Sequence, residues 1–124
     1  MRVKSLLLPT AAAAVVLVVA LALGSSRTMP SGSQSSAVVM GKTAKVKVYM
    51  FAFEPDTLTV KAGTRITFTN HDMTAHTATA LNEAFDTGTI APGQSKTIVV
   101  RKAGTYRYHC LFHEFMTGTI KVIS

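Results

Sequence analysis

The most informative segment of the sequence is Tyr108-His109-Cys110-Leu111-Phe112-His113-Glu114-Phe115-Met116-Thr117-Gly118. Cys110, His113 and Met116 follow the spacing Cys-x2-His-x2-Met, so this short segment offers a thiolate, an imidazole and a thioether. A compact loop between two strands can turn these three side chains towards one point. The segment therefore predicts a metal site on a strand-to-strand connection.

The donor set favours copper over other metals. Copper bound trigonally by two histidines and one cysteine, with a weak axial methionine, needs one more histidine from elsewhere in the fold, and His76 is the candidate. A structural zinc site usually has four strong ligands and no methionine. A dinuclear copper centre would require a second cysteine, but Cys110 is the only one in the chain. The predicted metal ligands are therefore His76, Cys110, His113 and Met116.

Away from this segment, the chain from Lys42 onwards consists of short stretches of alternating apolar and polar residues. Ala44, Val46, Val48 and Met50 form the apolar face of the first such stretch. Turn signals such as Ala91-Pro92-Gly93-Gln94 separate the stretches. About seven strands in about 80 residues, with no helical periodicity after residue 24, predict an all-β sandwich or barrel.

The N-terminal part has the features of an export segment. Arg2 and Lys4 precede an uncharged apolar run over residues 6–23, which as a helix would measure about 27 Å. A cleaved signal peptide and a retained membrane anchor both fit this run, and both place the rest of the chain outside the cytoplasm. The predicted organisation is a signal or anchor helix at 1–24, a flexible, disordered linker at 25–43 and a folded domain at 44–124.

The charge of the chain is basic, with 13 Lys and Arg against 6 Asp and Glu. The basic residues of the folded part stand singly or in pairs along strands and turns, a spread that indicates solvated strand faces. These residues include Lys45, Lys47, Lys61, Lys96, Arg101, Lys102 and Lys121. We therefore expect no nucleic-acid binding. No feature of the sequence indicates an obligate oligomer, and we expect a monomer.

Over residues 44–124 the chain resembles the cupredoxins, most closely the amicyanin type and the plastocyanin- and pseudoazurin-related members. The motifs that carry the resemblance are Phe51-Ala52-Phe53-Glu54-Pro55, Leu58-Thr59-Val60-Lys61-Ala62-Gly63, Thr69-Asn70 ahead of His76, Ala91-Pro92-Gly93, and Gly104-Thr105-Tyr106 before Cys110. The resemblance implies a Greek-key β-sandwich with one type 1 (blue) copper ion on the four predicted ligands. Two positions depart from the family: Glu114 stands where the loop usually carries proline, and Thr77 where many members have asparagine. We expect the Thr77 hydroxyl to replace the hydrogen bond of that asparagine.

These features predict an exported one-electron carrier that shuttles between redox partner proteins. His113 would reach close to the surface as the route for the electron, with Phe112, Phe115 and Met116 as an apolar collar for transient docking. The alternative is a copper-binding or copper-delivery protein that handles the metal outside the cytoplasm.

Three further side chains, those of His71, Met73 and His109, are of types that can bind copper. In copper nitrite reductases and multicopper oxidases, a histidine next to the cysteine ligand binds a second, catalytic copper with help from another domain. This chain has one such domain, so His109 is predicted to be a surface histidine and the protein is not predicted to be an enzyme. His71 and Met73 are predicted to be exposed loop residues near the site.

Overall fold

The computed structural model describes residues 34–124 of the 124-residue chain. The predicted signal or anchor at residues 1–24 and the first part of the predicted linker, residues 25–33, lie outside the described residues. Within residues 34–124 the chain forms nine β-strands and no helix, so this part contains no helix able to cross a membrane.

The strands are short and follow the alternation of the sequence. They are β1 (Ser36–Val39), β2 (Thr43–Tyr49), β3 (Ala52–Glu54), β4 (Thr57–Lys61), β5 (Arg65–Asn70), β6 (Thr79–Ala80), β7 (Ser95–Val99), β8 (Gly104–His109) and β9 (Thr117–Ile123). One sheet has the order β1-β4-β9-β8-β6 and the other β3-β2-β5-β7. This is an all-β sandwich, as the sequence predicted.

The connections between the strands give the sandwich two distinct ends. Strands β2, β5 and β8 run in the same direction along the sandwich and end where the predicted ligands lie. We call this the ligand end; it comprises Tyr49–Phe51, Asn70–His76 and Cys110–Met116. The opposite end contains the turn from β1 to β2, the turn from β4 to β5, and the turn from β7 to β8. Backbone hydrogen bonds tie these turns together, from Arg65 N–H to the Lys42 carbonyl and from Gly63 N–H to the Val100 carbonyl.

The core is formed by the inward residues of both sheets. Ala44, Val46 and Val48 are buried, and the charged or polar residues between them are exposed, as the alternation predicted. Aromatic rings fill the centre: Tyr108 packs against Phe53, Phe68 and Phe85 with ring centroids 4.7–5.7 Å apart. Burial of these rings is a main stabilising contribution to the sandwich.

Met50 does not continue the apolar face of β2, contrary to the prediction. Strand β2 ends at Tyr49, and Met50 and Phe51 both adopt the left-handed region, with φ of 53° and 57°. This turn breaks the two-residue period of the strand. Met50 is therefore 71% exposed instead of buried.

The predicted linker extended too far towards the C-terminus. Residues Ser36–Val39 form β1, which pairs in parallel with Thr57–Val60 of β4, and Thr43 already belongs to β2. Ala37 and Val39 pack on the core. The stretch has only two inward apolar positions between Ser and Gly, which gives a weak strand pattern, and its pairing with β4 decides its conformation.

Candidate metal centre

Three of the four predicted ligands converge at the ligand end. The Cys110 Sγ lies 3.7 Å from His76 Nδ1 and 3.9 Å from His113 Nδ1, and the three atoms all lie within 4.8 Å of one another. Cys110 and His76 are fully buried, whereas His113 is partly exposed. The cluster therefore has two ligands inside the sandwich and one that reaches towards solvent.

The spacing of the cluster fits a trigonal metal ion. Metal–sulfur and metal–nitrogen distances of about 2.3 and 2.0 Å, as in zinc sites, separate the sulfur and the nitrogen by about 3.7 Å when they subtend 120°. The two observed distances from Cys110 Sγ are close to this value. A thiolate with two imidazoles in a plane is the donor set of type 1 copper. The residues present therefore fit copper.

Met116 lies on the same loop and points into the protein. Its side chain is 1% exposed. The Met116 N–H donates to the His113 carbonyl, and the Cys110 N–H donates to the Met116 carbonyl. These two bonds close the loop on itself, so Cys110, His113 and Met116 are held in one tight connection between β8 and β9.

His76 is oriented by an aspartate that the sequence analysis did not identify. Both backbone groups of His76 are bonded to Ile90, which fixes the chain at this point. The His76 Nε2 lies 2.9 Å from an Asp72 carboxylate oxygen. An N–H at Nε2 that donates to Asp72 leaves the lone pair on Nδ1, the atom that faces Cys110. Asp72 therefore selects the tautomer that a metal requires.

Asp72 also fixes the turn between β2 and β3. One carboxylate oxygen accepts from the Met50 N–H at 2.6 Å, and the other accepts from the Phe51 N–H at 2.9 Å. Burial by itself would raise the pKa of Asp72, but the bonds from Phe51, Met50 and His76 outweigh it and hold the pKa below its ordinary value. An aspartate four residues before a histidine, on an irregular connection, has no periodic pattern that would have revealed this role.

Phe51 covers the two histidines from the side of this turn. Its ring meets His76 and His113 edge-on, with centroids 5.2 and 4.9 Å apart, and it stacks with Phe115 at 6.3 Å. Left-handed backbone at a non-glycine residue is strained and persists where the surroundings enforce it. Here the carboxylate of Asp72 enforces it, and the strained turn places an aromatic ring on the cluster.

Thr77 fixes the loop that carries the cysteine. The Leu111 N–H donates to the Thr77 hydroxyl at 2.9 Å, and the Thr77 N–H points at the Cys110 sulfur at 3.4 Å. The expected hydrogen bond of this threonine is therefore confirmed. An N–H directed at the sulfur helps to hold this candidate ligand atom in place, as hydrogen bonds to ligand atoms do in metal sites.

The remaining polar candidates lie outside the cluster. His71 is exposed and Met73 is 94% exposed on the connection that leads to His76, as predicted. His109 is partly exposed and pairs with Thr79 at the end of β8. Among residues 34–124, the His, Cys, Asp and Glu side chains that could hold a metal together are those of His76, Cys110 and His113.

Known proteins are similar to this chain over most of its length. Residues 13–122 match the family model of the cupredoxin-like domain. The chain belongs to the cupredoxin-like family. It is 33% identical over 107 residues to amicyanin from Paracoccus denitrificans, covering 82% of either chain. It is 29% identical over 105 residues to chloroplastic plastocyanin from Oryza sativa subsp. indica, covering 76% of this chain and 66% of the plastocyanin.

A solved structure of amicyanin has a similar fold. The oxidised state of a proline-to-alanine variant of amicyanin superposes with a TM-score of 0.61 at 27% identity, covering 65% of this chain and 82% of the amicyanin. The cofactor of this family is one copper ion, and the cluster of His76, Cys110 and His113 with Met116 resembles a type 1 copper site. At the level of the family, such proteins carry electrons and are not enzymes.

Proposed function

We propose that this cupredoxin is a one-electron carrier outside the cytoplasm, with one copper ion bound by His76, Cys110, His113 and Met116. The observation that carries the proposal is the convergence of one sulfur and two imidazole nitrogens, contributed by two separate parts of the chain. Bound copper would supply the one-electron couple between Cu(I) and Cu(II), for which this mixture of soft and imidazole donors is suited.

The surroundings of the cluster support electron transfer because they hold the donors in place. Hydrogen bonds fix His76 through Asp72 and the cysteine loop through Thr77. Donor atoms that cannot move much keep nearly the same positions in both oxidation states. Little rearrangement then accompanies the transfer of an electron.

The surface around His113 supports transient docking of a redox partner protein. Leu111, Phe112 and Phe115 are 50%, 53% and 72% exposed beside this partly exposed histidine. Met116 is buried, so the predicted apolar collar does not include it, because the loop turns its side chain inward. Leu111 takes part instead. Small apolar interfaces are typical of brief electron-transfer encounters.

The first experiment tests the ligands. The full chain would receive one equivalent of Cu(II), with Cys110→Ser as the test variant and His71→Ala as a control at an exposed histidine of the same end. An intense blue absorption band with narrow copper hyperfine splitting in the electron paramagnetic resonance spectrum is expected in the parent and the control, and not in Cys110→Ser. A weak spectrum of ordinary Cu(II) that does not change on mutation would contradict the proposed site.

Export is proposed from the N-terminal sequence, which lies outside the described residues. Positive residues followed by the apolar run 6–23 support it. Mass spectrometry of the protein purified from cells would distinguish a cleaved signal peptide from a retained membrane anchor. A mature chain that starts after Gly24 indicates a cleaved signal, whereas an intact N-terminus in the membrane fraction indicates an anchor. An intact chain in the cytoplasm would contradict export.

One observation favours copper delivery as a second candidate. Met50 and Met73 expose 71% and 94% of their surface at the ligand end, and thioethers are suitable ligands for Cu(I) in transit. A carrier should keep its copper in the presence of a Cu(I) chelator while it cycles between oxidation states. Transfer of the metal to the chelator within seconds, slowed in the double variant Met50→Leu with Met73→Leu, would favour delivery.

A further inference from the structure

The fold collects basic residues that are far apart in the sequence at the end opposite the predicted ligands. They lie on the three turns that meet there or on the strand ends next to those turns, although the sequence suggested a scatter along strand faces. We call this surface the basic end; it consists of Lys42, Lys61, Arg65, Arg101 and Lys102, all of them exposed. The Arg101 guanidinium lies over Gly63, 3.6 Å from the point where a Cβ would stand. Three turns therefore present one continuous cationic surface.

Carboxylate side chains are absent from this end within the described residues. Asp72 and Glu114 belong to the ligand end, Glu54 and Asp56 lie just before β4 begins, and Glu83 and Asp86 follow β6, which pairs with the last residues of β8. Within residues 34–124, none of the five basic residues has a carboxylate within ion-pair distance. Ser124 follows Ile123 at this end, and its carboxylate also forms no ion pair with these residues. Five basic residues therefore outnumber the acidic groups at the basic end.

The basic end also has a recess and exposed apolar groups. Lys42, Lys61 and Arg65 line a cleft of about 620 Å³ together with the backbone of Gly63. Met40, which is 55% exposed, also lines it, and Ile123, 41% exposed, is bonded through its carbonyl to the adjoining turn. Cations around a recess, with a few apolar side chains beside them, suit phosphate headgroups and the adjoining boundary of a lipid layer.

We propose that the basic end docks on an anionic phospholipid surface and so directs the ligand end away from the membrane. An anionic membrane surface attracts Lys and Arg that lie within a Debye length of it, about 10 Å at 0.1 M salt. The seven residues of β2 separate the two ends by about 20 Å. Lipid charge therefore acts on the basic end and leaves the ligand end free for a redox partner.

The N-terminal sequence favours a membrane over an acidic protein as the occupant. An uncharged apolar run of 18 residues, 6–23, precedes the described part of the chain. The described chain starts at the ligand end, because Ser36 pairs with Thr57 at the beginning of β4. A tether must therefore pass the length of the sandwich, and ten residues, 24–33, can span at most about 33 Å, which exceeds that length. An anchored chain is thus long enough for the basic end to reach the lipid. The docking does not depend on copper, so it can fail while the proposed function holds.

Chemical footprinting of lysines tests the proposal with an internal control. The full chain would be incorporated into lipid nanodiscs of phosphatidylcholine alone, or with 40% phosphatidylglycerol, and acetylated briefly with an amine-reactive ester. Mass spectrometry would measure the rate of acetylation at each lysine. The rates at Lys42, Lys61 and Lys102 of the basic end would then be compared with those at Lys45, Lys47 and Lys96 on strand faces. We expect at least about threefold slower acetylation of the first three on the anionic discs, reversed by 0.5 M NaCl. Equal rates on both kinds of disc would overturn the proposal.

Two double variants identify the charges responsible while the reporting lysines of the basic end stay in place. Each neutralised basic residue should weaken docking about fivefold, so Arg65→Gln with Arg101→Gln should weaken it about 25-fold and restore acetylation. Lys45→Gln with Lys96→Gln removes the same charge elsewhere and should leave the protection intact. Equal effects of the two variants would mean that net charge alone attracts the lipid. Protection by soluble polyglutamate but not by the anionic discs would assign the surface to an acidic protein, and would also overturn the proposal.

Discussion

The ligand end and the basic end of this sandwich use their hydrogen-bonding groups differently. At the ligand end, side chains bond to backbone: Asp72 accepts from Met50 and Phe51, and Thr77 accepts from Leu111. At the basic end, backbone bonds to backbone across the turns, and the hydroxyls of Tyr106 and Thr64 donate to the Lys102 and Gly41 carbonyls. The charged side chains of that end form no ion pair within the described residues. Polar side chains such as Asp72 and Thr77 therefore fix the ligand end, whereas the charged side chains of the basic end take no part in holding its turns. Changes at the first should be costly, and changes at the second mild.

The largest expected loss of stability comes from adding a methyl group at Gly118, in the core next to the ligand end. A Cβ on Gly118 would collide with the ring and hydroxyl of Tyr108, and that ring is fixed among buried aromatic residues. Gly118→Ala should lower the free energy of unfolding by about 3 kcal/mol, measured by urea denaturation of the apoprotein.

Gly63→Ala is the matched change at the basic end. Gly63 has φ of 88°, and an added Cβ there meets only the Arg101 guanidinium, at 3.6 Å. The cost should be about 1 kcal/mol, from the left-handed backbone alone. If Gly63→Ala lowered the free energy of unfolding as much as Gly118→Ala, the basic end would be as sensitive to substitution as the ligand end.

The next largest loss of stability is expected at Asp72, whose carboxylate joins the β2–β3 turn to His76. In Asp72→Asn a single amide oxygen replaces two oxygens that accept from three donors. The free energy of unfolding of the apoprotein should fall by about 2 kcal/mol. Copper affinity, measured by competition with a chelator, should fall about 10- to 100-fold.

Asp86→Asn controls for the loss of a negative charge in the same half of the molecule. Asp86 accepts from Thr79 and Gly88 on the surface and has no bond to the cluster. Its replacement should cost under about 1 kcal/mol and leave copper affinity unchanged. Equal losses of affinity in both variants would show that Asp72 acts through its charge and not by positioning His76.

A smaller effect is expected at the threonine that fixes the cysteine loop. Thr77→Val removes the acceptor of the Leu111 N–H with little change in volume. The free energy of unfolding should fall by about 1 kcal/mol, and copper should dissociate faster in stopped-flow measurements with a chelator. Thr77→Ser keeps the hydroxyl and should retain the slow rate. The same acceleration in the serine variant would point to packing instead of the hydrogen bond.

The smallest effect is expected at the basic end itself. Arg65→Gln with Arg101→Gln removes two exposed charges that have no carboxylate partner among the described residues. The free energy of unfolding should stay within about 0.5 kcal/mol of the parent, and the visible copper spectrum should not change. A loss of several kcal/mol would show that these side chains hold the turns together, and the contrast between the two ends would fail.

The sequence was sufficient for most of the strands and for the cluster of candidate ligands. Periodicity predicts the buried face of β2 up to Val48, and the Cys-x2-His-x2-Met spacing brings Cys110, His113 and Met116 onto one loop. It failed at β1, where a pattern of two inward residues is too weak to separate a strand from a linker. It failed again at Met50, because an alternating pattern does not show where a strand ends.

The alternation of the strands and the spacing of the cysteine loop are patterns among residues close together in the chain. These patterns and the family resemblance were enough to predict an all-β cupredoxin with a candidate copper site. The role of Asp72, which orients His76, became visible only in the folded protein. Asp72 bonds to the Phe51 N–H, more than 20 positions away, and nothing in the sequence predicted this contact. The bond from Leu111 to Thr77 was expected, but from the family resemblance and not from a local pattern. The basic end likewise exists only because three turns meet there. Such distant contacts leave no periodic signal, because they depend on how the strands cross between the sheets.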